Sequence, residues 1–376
     1  MLKNKILHIN CNYIGTTLHQ IMIENLEKLG YENKIFVPTY DKNISVIKVN
    51  SNVNVCECFN KWDRILFDYK QFKIYKAIQK EYDIQNFNLI HAYTLFTDGN
   101  CARKLSKKYG IPYVVAVRNT DVNDFFRLMP HLRKRGINIM LNAQKVFFLS
   151  EAYKNQVFDK YVPNKYKEEI KKKTEVIPNG IDEFWFQNKP LLKEKIIDKE
   201  IKFIYAGRID KNKNITTTQK ALQKLEDEGY KVSLTVVGKI IDKKEFEKII
   251  KNKFTNYIPA QPKEKLIELY RKHDIFIMPS FTESFGLVYA EAMSQGLPVI
   301  YSRGQGFDGQ FEEGKIGYHV DAYNSEELYK KIIKILEEYN KFSKVCVDAS
   351  KKFNWESLSK EYIEIYKKII WSKNLC

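Results

Sequence analysis

PSFTESFGLVYAEAMSQG, from Pro279 to Gly296, is the stretch whose reading decides the fold. The apolar run from Asp274 to Met278 before it is bounded by Pro279 and reads as a buried strand. Helix formers dominate from Gly286 to Gln295, and Gly296 supplies a stop signal. The stretch is a strand, a loop and a helix, with Glu283 in the loop and Glu291 about two turns down the helix. The first N–H groups of such a helix, around residues 285 to 288, have no intrahelical partner, and the dipole end there favours negative charge. Both carboxylates are expected to border a pocket at that helix end. An anion site beside two carboxylates suits a sugar nucleotide, whose diphosphate takes N–H donors and whose hydroxyls take acceptors.

Outward from this stretch the same rhythm repeats. Toward the N-terminus it runs through a strand at Lys202 to Ala206, a helix at Ile215 to Gly229, a strand at Ser233 to Val237 and a helix at Lys263 to Lys272. Toward the C-terminus come a strand at Val299 to Tyr301, the loop RGQGFDGQ, and helices at Ser325 to Tyr339 and Trp355 to Ile370. The turn cluster Pro178-Asn179-Gly180 separates this half from an earlier one of the same kind. There, strands are expected at Lys5 to Asn10, Lys34 to Val37, Asn88 to Ala92, Tyr113 to Val117, Lys145 to Leu149 and Thr174 to Ile177, with helices ending at Gly30 and spanning Asp98 to Tyr109. Strands alternating with helices predict α/β architecture with parallel sheets. The expected division is 1–178, 179–354 and a closing helix at 355–376. The turn around Gly15-Thr16 holds one glycine, so it is no dinucleotide fingerprint; Gly15 serves either a sharp backbone turn or a ligand contact.

Composition narrows the partners. The chain of 376 residues is long enough for two cores, and its net charge is +17. Residues 1–180 hold 29 Lys and Arg against 17 Asp and Glu, and the remainder 34 against 29, so the excess sits mostly in the first half. Such a half suits an anionic partner, whether lipid headgroups, a lipid-diphosphate acceptor or nucleic acid, although a solvated face explains charge runs equally well. No helix-turn-helix, zinc-finger or RNP motif is present, so nucleic acid is not expected. Six cysteines without metal spacing read as reduced thiols of a cytosolic protein. No stretch approaches the ~20 apolar residues of a membrane span, and the apolar run of MLKNKILHIN is too brief for a signal peptide. The segment from Phe125 to Phe148 interleaves apolar residues with Arg133-Lys134-Arg135, which fits a membrane surface or a helix packed on its own sheet.

Chemistry converges on strand ends. Arg208 and Lys213 in GRIDKNK follow the strand Lys202 to Ala206 and emerge at the edge that carries Glu283, where a fork and a point charge suit a diphosphate. Asn119 and Asp121 follow Val117 at a carboxyl strand edge, where α/β sheets bind ligands, so they are candidate sugar-hydroxyl partners; the loop is also ordinary turn chemistry.

ESFGLVYAE resembles the E-x7-E signature of retaining glycosyltransferases, and AGRIDKNKN resembles the phosphate-binding loop of glycosyltransferase family 4. IPNGID is similar to that family's linker, and FNWESLSKEYIEIYKKII to its last helix, which crosses back onto the first domain. The resemblance covers nearly the whole chain. It implies a GT-B fold, two Rossmann-like domains facing a cleft, with donor nucleotide held mainly by the second and acceptor by the first. By position it implies Arg208 and Lys213 on the diphosphate, Glu291 on the ribose, Glu283 on the transferred sugar, and N–H groups near Phe285, Gly286, Leu287 and Val288 on the distal phosphate. Catalysis would fall to Glu283, Arg208, Lys213 and Asn119, with Gly15 near the donor, Asn119 and Asp121 near the acceptor, and no metal or other cofactor. Asn119 stands where many relatives have His, and Arg303 to Gly309 replaces the usual Gly-Gly-x-x-Glu loop, which moves selectivity to these two loops. The implied activity is hexose transfer from a nucleotide diphosphate sugar to a sugar hydroxyl on a glycan or lipid-linked acceptor, in the cytoplasm or at the inner face of the membrane. Its rivals are an epimerase of the same fold and a non-catalytic glycan-binding partner.

Overall fold

The computed structural model describes residues 4–15, 17–41, 51–190, 192 and 199–373, with only the backbone of residues 64 and 373. Thr16 of the expected turn and Cys376 lie outside the described residues. The chain divides into two compact units: residues 1–149, 153–178 and 355–376 in the first, and 150–152 with 179–354 in the second.

The first unit carries seven strands: β1 (Lys5–Ile9), β2 (Glu32–Thr39), β3 (Val53–Glu57), β4 (Leu89–Ala92), β5 (Tyr113–Val117), β6 (Lys145–Phe148) and β7 (Thr174–Val176). They form one parallel sheet in the order β3-β2-β1-β4-β5-β6-β7. A parallel sheet is covered on both faces, and successive side chains point to opposite ones. Leu7, Ile9, Ile90, Val115, Val117, Val146 and Phe148 accordingly belong to one core, beneath helices Phe67–Glu81, Asp98–Tyr109 and Arg133–Asn142. Their alternates Ile6, Leu89, Val114, Ala116 and Phe147 belong to the opposite core. There they meet Met22 and Leu26 of helix Leu18–Lys28, and Leu358, Tyr362, Tyr366 and Ile370 of helix Trp355–Lys373.

That last helix follows the second unit in sequence yet completes the first. A buried polar chain adds to its apolar contacts. The Tyr366 hydroxyl lies 2.6 Å from His91 Nδ1, and the His91 ring stacks on Tyr93 at 4.3 Å. The Tyr93 hydroxyl meets His8 Nδ1 at 3.0 Å, and His8 Nε2 reaches Asn33 Oδ1 at 2.8 Å. Burial drives the His8 imidazole down to about 4 and that of His91 well below its usual range, so both stay neutral at physiological pH.

The second unit holds β8 (Glu200–Ala206), β9 (Lys231–Gly238), β10 (Thr255–Pro259), β11 (Ile275–Ile277), β12 (Val299–Ser302) and β13 (Gly317–Val320), all parallel, in the order β10-β9-β8-β11-β12-β13. Three strands not anticipated from sequence, β3, β10 and β13, are all sheet edges. Helices Phe67–Glu81, Lys243–Ile249 and Tyr339–Ser350 were likewise not anticipated. Residues 125–148 resolve into the end of a π-helical turn, helix Arg133–Asn142 and β6, with Phe126, Leu132, Ile139 and Met140 buried in the core. Apart from exposed Leu128, its apolar residues thus serve mainly the fold. Among the described residues no helix is long and apolar enough to cross a membrane.

Replacing Tyr366 by Phe keeps the ring and removes only the hydroxyl at His91. It is expected to cost about 1–2 kcal/mol in urea denaturation, whereas Tyr366→Ala also opens a cavity and is expected to cost about 3–5 kcal/mol.

Candidate active site

In the second unit, the carboxyl ends of β8 and β11 open onto a cavity of about 320 Å³. Arg208, Lys213, Glu283, Phe285, Gly286 and Val288 are among its lining residues. Helix Leu287–Ser294 starts at this wall. Gly286, its N-cap, has φ +78°, and a Cβ there would fall 2.3 Å from the Tyr289 ring. Only glycine turns the chain into the helix at this point without strain.

Lys213 and Glu283 form the electrostatic centre of the wall. Lys213 Nζ donates to Glu283 Oε2 at 2.5 Å, and the two side chains are 11% and 10% exposed. Glu283 Oε1 accepts from the Ser284 N–H at 3.0 Å. Arg208 differs: its side chain is 66% exposed, and Nε lies 3.6 Å from Asp210 Oδ2. The wall therefore combines a held ion pair, an extended cation and a helix N-terminus.

Two neighbouring loops fix that geometry. Asn212 Nδ2 donates to the Thr282 carbonyl at 2.8 Å, and its Oδ1 accepts from the Thr282 N–H at 3.0 Å. Asn214, itself left-handed at φ 56°, donates to the Pro279 carbonyl at 2.9 Å and the Ala322 carbonyl at 2.6 Å. These contacts lock the basic loop to the acidic one. From the other side Gln305 Oε1 accepts from the Glu283 N–H at 3.0 Å, and the Gly306 N–H donates to the Glu283 carbonyl at 3.1 Å. A Cβ on Gly306 would lie 2.0 Å from the Ser284 carbonyl oxygen, so that loop touches the site backbone to backbone. Arg303 pairs with Glu327.

The remaining sequence-derived residues fall in different settings. Glu291 does not line this cavity; it is half-buried one helical step beyond, near the Asp182–Lys263 ion pair. Burial, reinforced by the Asp182 charge and opposed by Lys263, raises its carboxyl to about 7. Gly15 closes the short turn Tyr13–Gly15 after β1 and is exposed, with open space where a Cβ would stand. Asn119 is half-buried, and its Oδ1 accepts from the Tyr153 hydroxyl at 3.1 Å and from Asn123. Asp121 requires a correction. It is 1% exposed, and its oxygens accept the N–H groups of Leu95, Phe96 and Arg118 at 2.9, 3.1 and 2.8 Å. It knits the loops after β4 and β5 together, and three of its roughly four acceptor positions are taken by backbone N–H groups. Sequence reasoning singled out the loops that hold Asn212, Asn214, Gln305 and Gly306 but gave none of the four its bracing role; the closely spaced glycines 304, 306 and 309 were the one legible sign of a close backbone approach.

Two parallel Rossmann-like sheets, with an anion-ready helix end and a basic loop at the strand ends of the second, define a nucleotide-sugar-dependent transferase of the GT-B class. Residues 18–183 match the family described as Glycosyltransferase Family 4, and residues 188–353 match Glycosyl transferases group 1, leaving only the two ends and residues 184–187 unmatched. The chain belongs to the GT-B glycosyltransferases of these families. It is 28% identical over 328 residues to a probable sucrose-phosphate synthase from Thermosipho melanesiensis, covering 82% of this chain and 75% of that one. It is 26% identical to an alpha-monoglucosyldiacylglycerol synthase from Acholeplasma laidlawii, over 83% of this chain and 82% of the relative. The solved sucrose-phosphate synthase of Thermosynechococcus elongatus superposes with a TM-score of 0.76 at 18% identity, covering 98% of this chain and 100% of that one, a likeness of fold. Among the described residues no three His, Cys, Asp or Glu side chains are grouped to hold a metal ion.

Gly306→Ala is expected to push the Ser284 backbone outward, lower stability by about 1–3 kcal/mol and weaken donor binding. Gln305→Ala removes one hydrogen bond, about 1 kcal/mol, and leaves the turn in place. Thermal denaturation and donor titration of both variants check this ordering.

Proposed function

We propose that this glycosyltransferase is a retaining enzyme that moves a hexose from a nucleotide diphosphate sugar to a hydroxyl of a glycan or lipid-linked sugar. Its place would be cell-surface polysaccharide or glycan synthesis, at the cytoplasmic face of the membrane. The observation that carries the reading is the Lys213–Glu283 pair set in the same wall as the N-terminus of helix Leu287–Ser294 and Arg208.

A diphosphate entering this cavity offers oxygens to Lys213, Arg208 and the N–H groups around Leu287. As Lys213 turns from Glu283 to a phosphate oxygen, Glu283 Oε2 is released to accept a hydroxyl of the transferred sugar. One exchange leaves both buried charges partnered, which avoids the cost of stranding either one. When the sugar–oxygen bond breaks, charge grows on the departing phosphate where these donors already point. The same phosphate, on the face the acceptor approaches, takes the acceptor's proton, so the anomeric configuration is kept. Asn119 would position the acceptor hydroxyl; its amide has no basic nitrogen with which to accept the proton. Glu291 would take the ribose hydroxyls. The Acholeplasma relative is named for a glucosyl lipid product, which favours an acceptor at a lipid surface.

Proton NMR of the isolated product is expected to show the donor's anomeric configuration; an inverted product contradicts the mechanism. Arg208→Ala is expected to lower kcat about 10²–10³-fold with an unchanged melting temperature, since it removes a donor to the developing charge from an exposed position. Because the Glu291 carboxyl is raised to about 7, it is protonated below that pH and an acceptor for two hydroxyls above it. Donor affinity is therefore expected to rise as pH passes through about 7, and calorimetry of Glu291→Gln is expected to show that rise flattened.

A further inference from the structure

We propose that the first unit carries a bilayer-docking surface built by residues 61–73 and the turn at Arg127–Leu128, and that its partner is an anionic lipid surface. The helix Phe67–Glu81 buries Gln71, Ile74 and Ile78 toward the sheet. Its other side is not polar. Trp62, Ile65 and Leu66 are 78%, 75% and 63% exposed, and Tyr69 and Phe72 continue the row half exposed. Trp62 sits in the 3-10 turn Trp62–Arg64, Ile65 and Leu66 in the link after it, and Tyr69 and Phe72 on the first turns of the helix, so the exposed apolar residues cluster at the entry to the helix. Five of the twelve large apolar side chains exposed among the described residues fall within these eleven positions. Singly exposed apolar residues are ordinary, but a contiguous row marks a docking face.

Charge selects the occupant. Lys61, Lys70, Lys73 and Lys76 alternate with the apolar side chains. Lys73 Nζ stands 4.5 Å from the Tyr69 ring centroid, and Lys76 Nζ 5.8 Å from that of Phe72. The two acids of the segment are already paired, Asp63 with Lys73 at 2.7 Å and Asp68 with Arg135 at 2.6 Å. That second pair, with the Phe67–Phe125 ring contact at 5.7 Å, holds the next turn against the helix, and this turn adds Leu128 at 63% exposure beside exposed Arg127. Protein interfaces exclude lysine from their cores, whereas a lipid surface takes aromatic and aliphatic side chains into the acyl boundary and leaves lysines among the phosphates. The interleaving on this face fits the lipid surface. The inference deepens the membrane-face reading above and takes from the segment 125–148 only the turn at Arg127–Leu128, since helix Arg133–Asn142 and β6 spend their buried apolar residues on the core. Its test needs neither donor nor acceptor, so it can fail while the transferase reading stands, and the reverse.

The test is co-sedimentation of the full chain with vesicles of phosphatidylcholine alone and of phosphatidylcholine with phosphatidylglycerol, at low and high salt. The expected result is binding to the anionic vesicles that weakens with salt, and an emission blue shift in a Trp371→Phe variant, where Trp62 is the remaining exposed tryptophan. The triple variant Trp62→Ser, Ile65→Ser, Leu66→Ser is expected to bind anionic vesicles at least about tenfold more weakly with an unchanged circular dichroism spectrum. Equal binding by wild type and triple variant, absence of vesicle binding, or a concentration-dependent dimer that the triple variant abolishes without vesicle binding would each overturn the proposal. If the triple variant loses its fold, the single variant Trp62→Ser and the Trp62 emission shift decide the matter by the same criteria.

Discussion

The contact between Lys213 Nζ and Glu283 Oε2 is the constraint on which the site depends. Both groups are close to nine-tenths buried, and removing one partner from such a pair costs about 3–5 kcal/mol because the other charge is stranded. On the exchange proposed above, a ligand that opens the pair has to replace what it displaces: an anion for Lys213 and a donor hydroxyl for Glu283. A sugar attached to a diphosphate carries both on adjacent atoms. Asn212, Asn214, Gln305 and Gly306 brace the two loops that carry the pair. Arg208, outside the pair and extended into solvent, supplies further positive charge without being tied to the wall.

How much of this was legible in the sequence follows from burial. Central strands such as β5 and β11 are buried along their whole length, so their residues form uninterrupted apolar runs that stand out in a bare sequence. The edge strands β3, β10 and β13 read VNVCE, TNYIP and GYHV, with partly exposed positions that dilute the signal. The helix Phe67–Glu81 hid for the opposite reason. Apolar residues on both of its faces blur the periodicity that marks an ordinary amphipathic helix.

The site divides in the same way. Glu283, Arg208 and Lys213 were legible because each follows a strong strand in a loop whose chemistry is local. The amides that brace them were not, because their partners lie 22 to 108 residues away and nothing in one sequence couples such positions. Asp121 shows the converse limit: a polar residue at a carboxyl strand edge resembles a ligand contact, yet here it satisfies three backbone N–H groups that would otherwise be buried unpaired.

The exchange at Lys213 is tested most directly by calorimetry of the wild type and Glu283→Gln with a nucleoside diphosphate and its sugar conjugate, the base being chosen from a panel of UDP, GDP, ADP and dTDP. Neutralising Glu283 releases Lys213 from its partner while removing the acceptor for the sugar. The account predicts that Glu283→Gln binds the bare diphosphate at least as tightly as the wild type and binds the nucleotide sugar at least about tenfold more weakly. Equal weakening of both ligands, or no change in either, would contradict it.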